Sequence, residues 1–460
     1  MYALVTVHDT ELGAYMGFNN FLYLLNDALS NQHLDLALDS VKTFRAADLA
    51  DVLTQLPLEN SQLLLQHLPD RAYVFSYLAP EVQVRFANVL ARQTLAEIVG
   101  EMSSDKRADL FKNLNKQQQN ALLPALAQAE REDIRLLSSY VEGTAGAIMS
   151  SEYATLKPEL NVKEAIIMLR LEAPDTETIY FAYVLDEARK LLGVVSLKQL
   201  ILAPENQNIA DLMATNIVSA FVETDQDEVA KTIARYDLLA LPIIDHQGVM
   251  VGIVTYDDAM DVASEEATED FLKAGAVNAD SKLSLKFAPI LQLYQKRVYW
   301  LVFLVFGSLL SGLGIAHFED IIAAHIVLVF FLPLLVGSGG NAGSQSATLM
   351  VRALATGDVH FKDWFYLLGR ESLVALLLGG TMAFAVSVLG YFRGDEMVAL
   401  VLALSMLTIV MMGCLIGMSL PFILNRFGMD PASASAPLVT SICDATGVLV
   451  YLFIASRLLF

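Results

Sequence analysis

Long apolar runs dominate the chain after about residue 300, whereas shorter amphipathic patterns dominate before it. The apolar runs lie at 298–318, 321–350, 372–392, 397–424 and 432–456. Each reaches the roughly 20 residues that a helix needs to cross the hydrocarbon core of a bilayer. We therefore predict a five-helix α transmembrane domain over 291–460, with its two ends on opposite sides of the membrane.

The basic residues between these runs are unequally distributed, and they predict the orientation. One set of connections carries Lys296, Arg297, Arg352, Lys362, Arg370 and Arg426. The opposite set carries Arg393 and Arg457. The richer set should be cytoplasmic, and the first thirty residues lack the basic-then-apolar pattern of a signal peptide. We expect cytoplasmic N-terminal domains and an extracytoplasmic C-terminus.

Residues 1–140 have the pattern of short amphipathic helices with Leu-rich faces and frequent Leu-Pro breaks. Short helices with drifting self-similarity predict an α-helical superhelical N-terminal domain built from helical repeats. Two interpretations of its carboxylates stay open, namely metal contacts or a solvated helix face. The residues concerned are Asp48, Asp51, Asp105 and Asp109.

A clearer repeat follows between residues 145 and 262. Gly193-Val-Val-Ser-Leu-Lys-Gln199 is matched 59 residues later by Gly252-Ile-Val-Thr-Tyr-Asp-Asp258, and each copy follows a β-branched strand and opens a helix. This resembles a tandem α/β CBS pair, over 141–205 and 206–262. In that family a Ser or Thr and an Asp three residues later hold the ribose of an adenine nucleotide. The resemblance implies nucleotide contacts at Thr255 and Asp258, with ATP as the ligand, but Gln199 replaces the Asp in the first repeat. The alternative is a pair that only transmits movement.

Seven carboxylates fall within fourteen residues after the second repeat. They are Asp257, Asp258, Asp261, Glu265, Glu266, Glu269 and Asp270. On a helix these side chains repel at i,i+3 and i,i+4, so cations would stabilise the helix. We predict an acidic connecting helix over 263–290 that leads to the first crossing, either as a gate or as a solvated connector.

The acidity of the chain lies almost entirely before the membrane domain. Residues 1–290 carry 22 Lys and Arg against 42 Asp and Glu. This net negative charge disfavours binding to nucleic acid or to an anionic membrane surface, and it favours the attraction of cations.

Asp444 is the only formal charge between Asp430 and Arg457, in the middle of the last apolar run. An ionised carboxylate at that depth costs several kcal/mol unless it faces water, a cation or a partner charge. With the hydroxyl of Thr440 nearby, it predicts cation handling, and the alternative is a carboxylate that is hydrogen-bonded between helices. Both cysteines, Cys414 and Cys443, fall inside apolar runs, so no disulfide framework or zinc motif is predicted.

The second apolar run ends in a segment unlike a lipid-facing helix. Gly337 to Thr348 combines small residues, which permit close helix packing, with Asn341 and Gln345, which would be costly in lipid. These polar side chains should face a partner helix or an aqueous path. Gly413-x-x-x-Gly417 in the fourth run likewise predicts tight helix packing.

The motifs of the membrane domain resemble those of MgtE-type magnesium channels. They are Gly-Gly-Asn-Ala-Gly-Ser-Gln-Ser-Ala-Thr at 339–348, Arg352-Ala-Leu-Ala-Thr-Gly357, Asp430-Pro-Ala432 and Pro437-Leu-Val-Thr-Ser-x-x-Asp444-x-x-Gly447. The resemblance covers the whole chain in the family's order. It implies a homodimer in the bacterial inner membrane with one central pore, where Asp444, Thr440 and Asn341 select a hydrated Mg²⁺.

The resemblance also implies gating by cytoplasmic Mg²⁺. When Mg²⁺ is low the carboxylates repel, and when it is high bridging ions stabilise the closed state because they bind that state better. The regulatory residues implied are Asp257, Asp258, Asp261, Glu266, Glu269, Asp270 and Asp430, with Asp227 and Asp237 as further candidates. Entry needs no ATP hydrolysis, because a divalent ion gains about 4.6 kcal/mol per 100 mV on moving inward.

Three other functions compete with that of a channel. A carrier that exchanges Mg²⁺ for protons or Na⁺ would use Asp444 as its alternating site, and the sequence leaves this alternative open, as it does the passage of Mn²⁺, Co²⁺ or Ni²⁺. An enzyme is not predicted, because no second intramembrane carboxylate, His pair or Ser-Lys arrangement is found and Glu371 lies at the edge of a run. A sensor without transport would leave Asp444 unexplained.

Overall fold

The computed structural model describes residues 11–277, 289–393 and 395–459 of the protein. It forms two compact units, Met1–Ala263 and Ser264–Phe460. The first unit holds short helices followed by two small sheets, and the second holds the long apolar helices. This mixture of all-helical and α/β parts agrees with the predicted fold class.

The first part of the N-terminal unit is helical. Its helices are α1 (Glu11–Ser30), α2 (Leu34–Val41), α3 (Ala46–Gln55), α4 (Leu58–His67), α5 (Arg71–Ser76), α6 (Pro80–Val89), α7 (Arg92–Gly100), α8 (Ser104–Asn113), α9 (Lys116–Leu122), a 3-10 turn at Leu123–Ala125 and α10 (Gln128–Leu137). Leu-Pro steps divide the helices, since the residue before a proline is driven out of the helical region. Leu56, before Pro57, has an extended backbone and ends α3. Leu64, Leu65 and Phe75 are fully buried and pack in the shared core.

The second part of this unit contains two copies of one α/β arrangement. The first copy consists of α11 (Ala145–Ile148), β1 (Tyr153–Leu156), α12 (Val162–Glu172), a 3-10 turn at Ala173–Asp175, β2 (Thr178–Leu185), β3 (Leu191–Ser196) and α13 (Leu197–Leu202). The second consists of α14 (Ile209–Leu212), β4 (Ala220–Phe221), α15 (Gln226–Tyr236), β5 (Ala240–Ile244), β6 (Met250–Thr255) and α16 (Tyr256–Ala274).

The two sheets share one topology and pack on each other reciprocally. In each, the first strand is parallel to the second and the second is antiparallel to the third. Gly193 of the first copy packs on Met213, which directly follows α14 of the second copy, and Gly252 of the second copy packs on Met149, which directly follows α11 of the first. A side chain at either glycine would collide with the methionine. The glycine that is repeated in the sequence motif is therefore a contact point between the two copies, where the absence of a side chain makes room for a methionine of the other copy.

The acidic helix begins earlier than the connecting segment predicted over 263–290. Helix α16 begins at Tyr256, directly after strand β6, and ends at Ala274. Residues 278–288, which the prediction included, lie outside the described residues.

The second unit is built from long helices. They are α17 (Ile290–His317), α18 (Glu319–Ala324), α19 (Val327–Ala355), a 3-10 turn at Phe361–Asp363, α20 (Trp364–Arg393), α21 (Glu396–Arg426), a 3-10 turn at Pro431–Ser433 and α22 (Ala436–Leu458). In the described part of the chain, five of these helices are long and apolar enough to cross a membrane, as predicted. Helix α18 is the exception.

Two predicted runs differ from the helices in the structure. The run at 321–350 is interrupted, because α18 ends at Ala324 and α19 begins at Val327. The third crossing begins at Trp364 and not at 372, so Glu371 lies inside α20. Glu371 is the eighth residue of this 30-residue helix, so its place at a span's edge stays a prediction. The predicted run begins after the charge of Glu371, whereas α20 extends past this residue towards the N-terminus as far as Trp364.

Glycines bring α19 and α21 into backbone contact at the centre of this unit. Gly413 and Gly417 of α21 pack directly on the carbonyl groups of Gly339 and Gly343 of α19. The close packing predicted from the Gly413-x-x-x-Gly417 spacing is confirmed. It holds α19, with its polar segment, in a fixed position beside α22.

Candidate functional site

Asp444 lies on the third turn of α22, one turn after Thr440 and on the same face of the helix. Gly340 of α19 faces both residues, and a Cβ there would lie 2.9 Å from Thr440 Cγ2 and 3.6 Å from Asp444 Oδ1. The Ser344 hydroxyl lies 3.2 Å from the Thr440 hydroxyl. Ser344, Thr440 and Asp444 thus place hydroxyl and carboxylate oxygens along the contact of two helices.

The half-buried Asp444 carboxylate has no protein partner in the part of its own chain that the structure describes. Across the described residues, no hydrogen bond or ion pair reaches it. The alternative of a carboxylate that is hydrogen-bonded between helices therefore finds no support within one copy. A charge in this environment needs water, a cation or a group from another molecule.

A polar stripe follows the exposed side of the same α19 segment. Asn341, Gln345 and Thr348 are spaced i, i+4 and i+7, so they share one helix face, and all three are exposed. Exposed amides at membrane depth are costly unless they face water or polar groups of another helix. The stripe places Asn341 beside the segment that contacts Asp444 but leaves its amide unburied in a single copy.

Glu371 forms a second polar site in the membrane unit, which the sequence analysis did not find. The Ser346 hydroxyl of α19 donates a hydrogen bond to Glu371 Oε1 at 2.5 Å. Ser346 is buried, whereas Glu371 is partly exposed. A hydrogen bond between a hydroxyl and a carboxylate thus connects α19 and α20.

The predicted nucleotide contacts lie where β6 passes into α16. Thr255 Oγ1 lies 2.5 Å from Asp257 Oδ1 and 2.6 Å from Asp258 Oδ2. Lys106 of α8 donates to Asp258 Oδ1 at 2.9 Å. Both oxygens of Asp258 are therefore engaged, and its side chain is almost fully buried. Asp258 does not fit the role of a ribose ligand in this arrangement. In the first copy, Ser196 and Gln199 instead cap α13.

Carboxylates crowd around this junction in the N-terminal unit. Burial, together with the nearby carboxylates of Asp105 and Asp258, raises the pKa of Glu177 to about 8. Burial also raises the pKa of Asp258 to about 6, an effect that Lys106 opposes. Asp105 is 5% exposed, and one of its oxygens is buried without a partner. The solvated-face interpretation is wrong for Asp105, whereas Asp48, Asp51 and Asp109 are exposed.

The predicted regulatory carboxylates of α16 lie in different environments. Asp257 and Asp261 are exposed, Glu266, Glu269 and Asp270 are half-buried, and Asp258 is buried. The carboxylates of this predicted set therefore do not share one environment. Asp261 lies 3.7 Å from Lys106, the lysine that also contacts Asp258.

Asp430 is held by a lysine from the end of the acidic helix. Lys273 donates to Asp430 Oδ2 at 2.6 Å and to Glu269 Oε1 at 2.7 Å. The other Asp430 oxygen accepts the backbone N–H of Ala432 at 2.8 Å and so starts the turn before α22. The sequence patterns did not indicate that Lys273 and Lys106 pair with these carboxylates. The i,i+4 spacing of Glu269 and Lys273 was the one local signal available.

The two further regulatory candidates are separate from this contact. Asp227 forms an i,i+4 pair with Lys231 at 2.6 Å, and Asp237 is exposed at the left-handed end of α15. Within the described ranges, no group of three or more His, Cys, Asp or Glu side chains is arranged to hold a metal ion. Any Mg²⁺ bound to these carboxylates would need contacts through its hydration shell, a different conformation or a second copy.

Family models match three consecutive parts of the chain. The MgtE model, described as a divalent cation transporter, matches residues 332–454. The model of the MgtE intracellular N domain matches 44–143, and the CBS domain model matches 145–206 and 209–265.

Two curated relatives are similar over nearly their whole length. The magnesium transporter MgtE of Thermus thermophilus is 38% identical over 440 residues, which cover 95% of this chain and 98% of the relative. The Bacillus subtilis protein of the same name is 31% identical over 412 residues, which cover 89% and 91%.

Solved structures resemble the soluble part. The soluble part of a magnesium transporter aligns with a TM-score of 0.51 at 31% identity, over 54% of this chain and 99% of that structure. The cytosolic domain of the Mg²⁺ channel MgtE in complex with ATP aligns with a TM-score of 0.50 at 35% identity, over 52% and 99%. With its N-terminal cytosolic domain, CBS pair and five membrane-spanning helices, the chain belongs to the MgtE family of magnesium transporters.

Proposed function

We propose that this protein is a Mg²⁺-selective channel that imports Mg²⁺ down its electrochemical gradient. The observation that carries the proposal is the Asp444 carboxylate, which lies on the third turn of a crossing helix beside Thr440 and has no hydrogen-bond or ion-pair partner among the described residues. Mg²⁺ sheds water reluctantly and is commonly held by one or two carboxylates through its hydration shell. A carboxylate flanked by hydroxyl groups at membrane depth meets that requirement.

The pore would form between two copies of the chain. The stripe of Asn341, Gln345 and Thr348 is exposed in one copy and would be satisfied by an aqueous path lined by both copies. Among the described residues of α17, Gly314 alone is buried, so this helix has most of its apolar surface available for lipid or for a partner. In such a dimer, two Asp444 carboxylates would face one hydrated ion.

Cytoplasmic Mg²⁺ would close the channel through the acidic helix. Asp257 and Asp261 are exposed, and their carboxylates suit binding of a hydrated Mg²⁺. Glu266 and Asp270 would extend the charged face, whereas Asp258, Glu269 and Asp430 are engaged with lysines and fit this role poorly. We retain the division into an N-terminal domain over 1–140, CBS copies over 141–205 and 206–262, a connecting segment over 263–290 and a pore domain over 291–460. The pore domain would span the bacterial inner membrane and end outside the cytoplasm.

ATP would bind the CBS pair away from the buried Asp258. A cavity of about 420 Å³ lies beside α13, and its lining includes the aromatic ring of Tyr180, the ammonium of Lys198 and the side chain of Leu239. A stacking surface next to a cation suits an adenine nucleotide. The ATP complex of the related cytosolic domain motivates this assignment.

The alternative of a coupled carrier is favoured by one observation. Glu371 lies inside α20 and accepts a short hydrogen bond from Ser346. A second intramembrane carboxylate is a potential proton site, because such groups commonly serve proton relays in transporters. A carrier would show Mg²⁺ movement that depends on a proton or Na⁺ gradient.

The test is divalent-ion current through the purified protein in a planar bilayer, compared between wild type and Asp444→Asn. Asn keeps the shape of the side chain and removes its charge, so we expect the Mg²⁺ current to fall at least tenfold. Asp358→Asn, which changes an exposed carboxylate between α19 and α20, should leave the current near the wild-type level. Current that persists in Asp444→Asn would refute the pore assignment, and uptake only with a counter-ion gradient would identify a carrier.

A further inference from the structure

A lysine lies at the contact where a regulatory cation is expected. Lys273, in the last turn of α16, is within 2.7 Å of Glu269 and within 2.6 Å of Asp430. These two carboxylates belong to the set that was predicted to be bridged by Mg²⁺. The lysine is one-third exposed, and its pKa is raised by hydrogen bonds to both carboxylates against the effect of burial. The ammonium is therefore charged throughout the physiological range.

The ammonium neutralises the contact without an added ion. Two carboxylates that face one position repel each other, and a single positive charge between them removes most of that repulsion. Charge-assisted hydrogen bonds of this length are the stronger kind. A bridging Mg²⁺ would have to displace the ammonium from at least one oxygen, so the two cations exclude each other at this contact.

The contact is connected directly to the start of the helix that carries Asp444. Asp430 accepts one hydrogen bond from Lys273 and another from the backbone N–H of Ala432, through its two different oxygens. The turn that it starts ends at Ser433, and Ser435 at the N-cap position of α22 follows two residues later. A force on Asp430 therefore acts on the first turn of the helix that bears Thr440 and Asp444.

We propose that Lys273 is a built-in cation that holds the end of the acidic helix to Asp430 when cytoplasmic Mg²⁺ is low. This inference rests on the proposed function, since it assigns one of the gating contacts to the chain itself. It makes the contact at Asp430 independent of Mg²⁺ and leaves the response to Mg²⁺ to the exposed carboxylates of α16. Removal of the ammonium should convert the pair Glu269 and Asp430 into a Mg²⁺-responsive contact.

The first experiment measures thermal unfolding of the full-length protein in detergent, in EDTA and in millimolar Mg²⁺. The variants are Lys273→Met, Asp430→Asn and the double variant. In EDTA we expect the unfolding temperature of each single variant to lie a few degrees below that of wild type. The decrease in the double variant should be smaller than the sum of the two single decreases, because both substitutions break the same contact. Mg²⁺ should raise the unfolding temperature of Lys273→Met more than that of wild type, because the vacated carboxylates bind the ion.

A matched control and a second readout separate this inference from the proposed function. Lys163→Met removes an exposed lysine that lies 3.6 Å from Glu205, and its response to Mg²⁺ should equal that of wild type. Additive shifts, or equal Mg²⁺ responses of Lys273→Met and wild type, would overturn the inference. In planar bilayers, Lys273→Met should carry a severalfold larger current than wild type at low internal Mg²⁺, and an unchanged current would also contradict it. If no variant conducts, the channel proposal fails, while the unfolding cycle still decides the role of Lys273.

Discussion

Individual carboxylates of this chain differ mainly in what compensates their charge. Asp258 and Asp430 are each held by a lysine, and Glu371 accepts a hydrogen bond from a serine. Asp444 has no partner among the described residues, and Glu177 has only the weak hydrogen bond of Ser150 at 3.3 Å. Because burial without a cation disfavours the charged form of an acid, Glu177 and Asp444 are the two positions where a proton or a metal ion has most to contribute.

We predict that Glu177 makes the stability of the N-terminal unit depend on pH. Its folded-state pKa of about 8 exceeds the ordinary value of 4.5, so the folded protein binds more protons between these two pH values. The free energy of unfolding should therefore fall as pH rises from 4.5 towards 8 and then level off. Glu177→Gln should reduce this slope, most of all above pH 6, and stabilise the protein at pH 8.5 by roughly a few kcal/mol.

Thermal unfolding of the full-length protein between pH 5 and 9 measures this effect. Glu159→Gln alters an exposed carboxyl group of the same unit and serves as the control. Parallel pH profiles for Glu177→Gln and wild type would show that Glu177 is not the group responsible.

At the scale of elements, α19 determines the geometry of the membrane unit. One side packs through glycines on α21, a second side meets α22 near Asp444, and the remaining side carries the exposed polar stripe. Without a hydrophobic driving force between helices in lipid, such close packing supplies much of the association energy. The small residues therefore position the polar ones, and a change at a glycine should affect the ion path indirectly.

We predict that Gly343→Ala destabilises the membrane unit, whereas Gly337→Ala does not. A Cβ at position 343 would lie 2.8 Å from the Gly413 carbonyl oxygen and 3.0 Å from Cys443 Sγ, so the helices must move apart. Overpacking of this kind costs roughly 1–3 kcal/mol. Among the described residues, no atom beyond the helix itself lies within 4 Å of a Cβ at 337. Alanine there should be neutral or stabilising, because it favours the helix. Equal unfolding temperatures of the two variants in detergent would contradict this packing.

At the scale of the whole molecule, one copy leaves its membrane unit incomplete. The polar stripe of α19 is exposed, and α17 is buried only at Gly314 among its described residues. Symmetric association of two copies is the simplest arrangement that satisfies the same surface on both. The N-terminal unit contains two similar α/β copies within one chain, and these copies pair with each other. The polar stripe, in contrast, would need a second molecule to be covered.

We predict that Gln345→Cys forms cross-links between two copies in the membrane. A short bifunctional thiol reagent should yield a covalent dimer on a denaturing gel, because Gln345 lies in the exposed stripe that would line the shared path. Phe384→Cys places a thiol on an exposed apolar position of α20 and should remain monomeric. The two native cysteines are buried and give the background. Monomeric Gln345→Cys under conditions where its thiol is labelled would contradict a pore formed between copies at this face.

Features that depend on local periodicity and on the cost of burial could be predicted from the amino-acid sequence. Apolar length identified the five crossings, the repeat with a spacing of 59 residues identified the paired α/β copies, and the isolation of Asp444 identified the candidate ion site. Only the tertiary structure decided which charges are paired. Lys106 and Asp258 are 152 residues apart in the chain, and Lys273 and Asp430 are 157 apart. A periodic pattern reports which face of an element is apolar, but the partner of a buried charge depends on where distant elements meet.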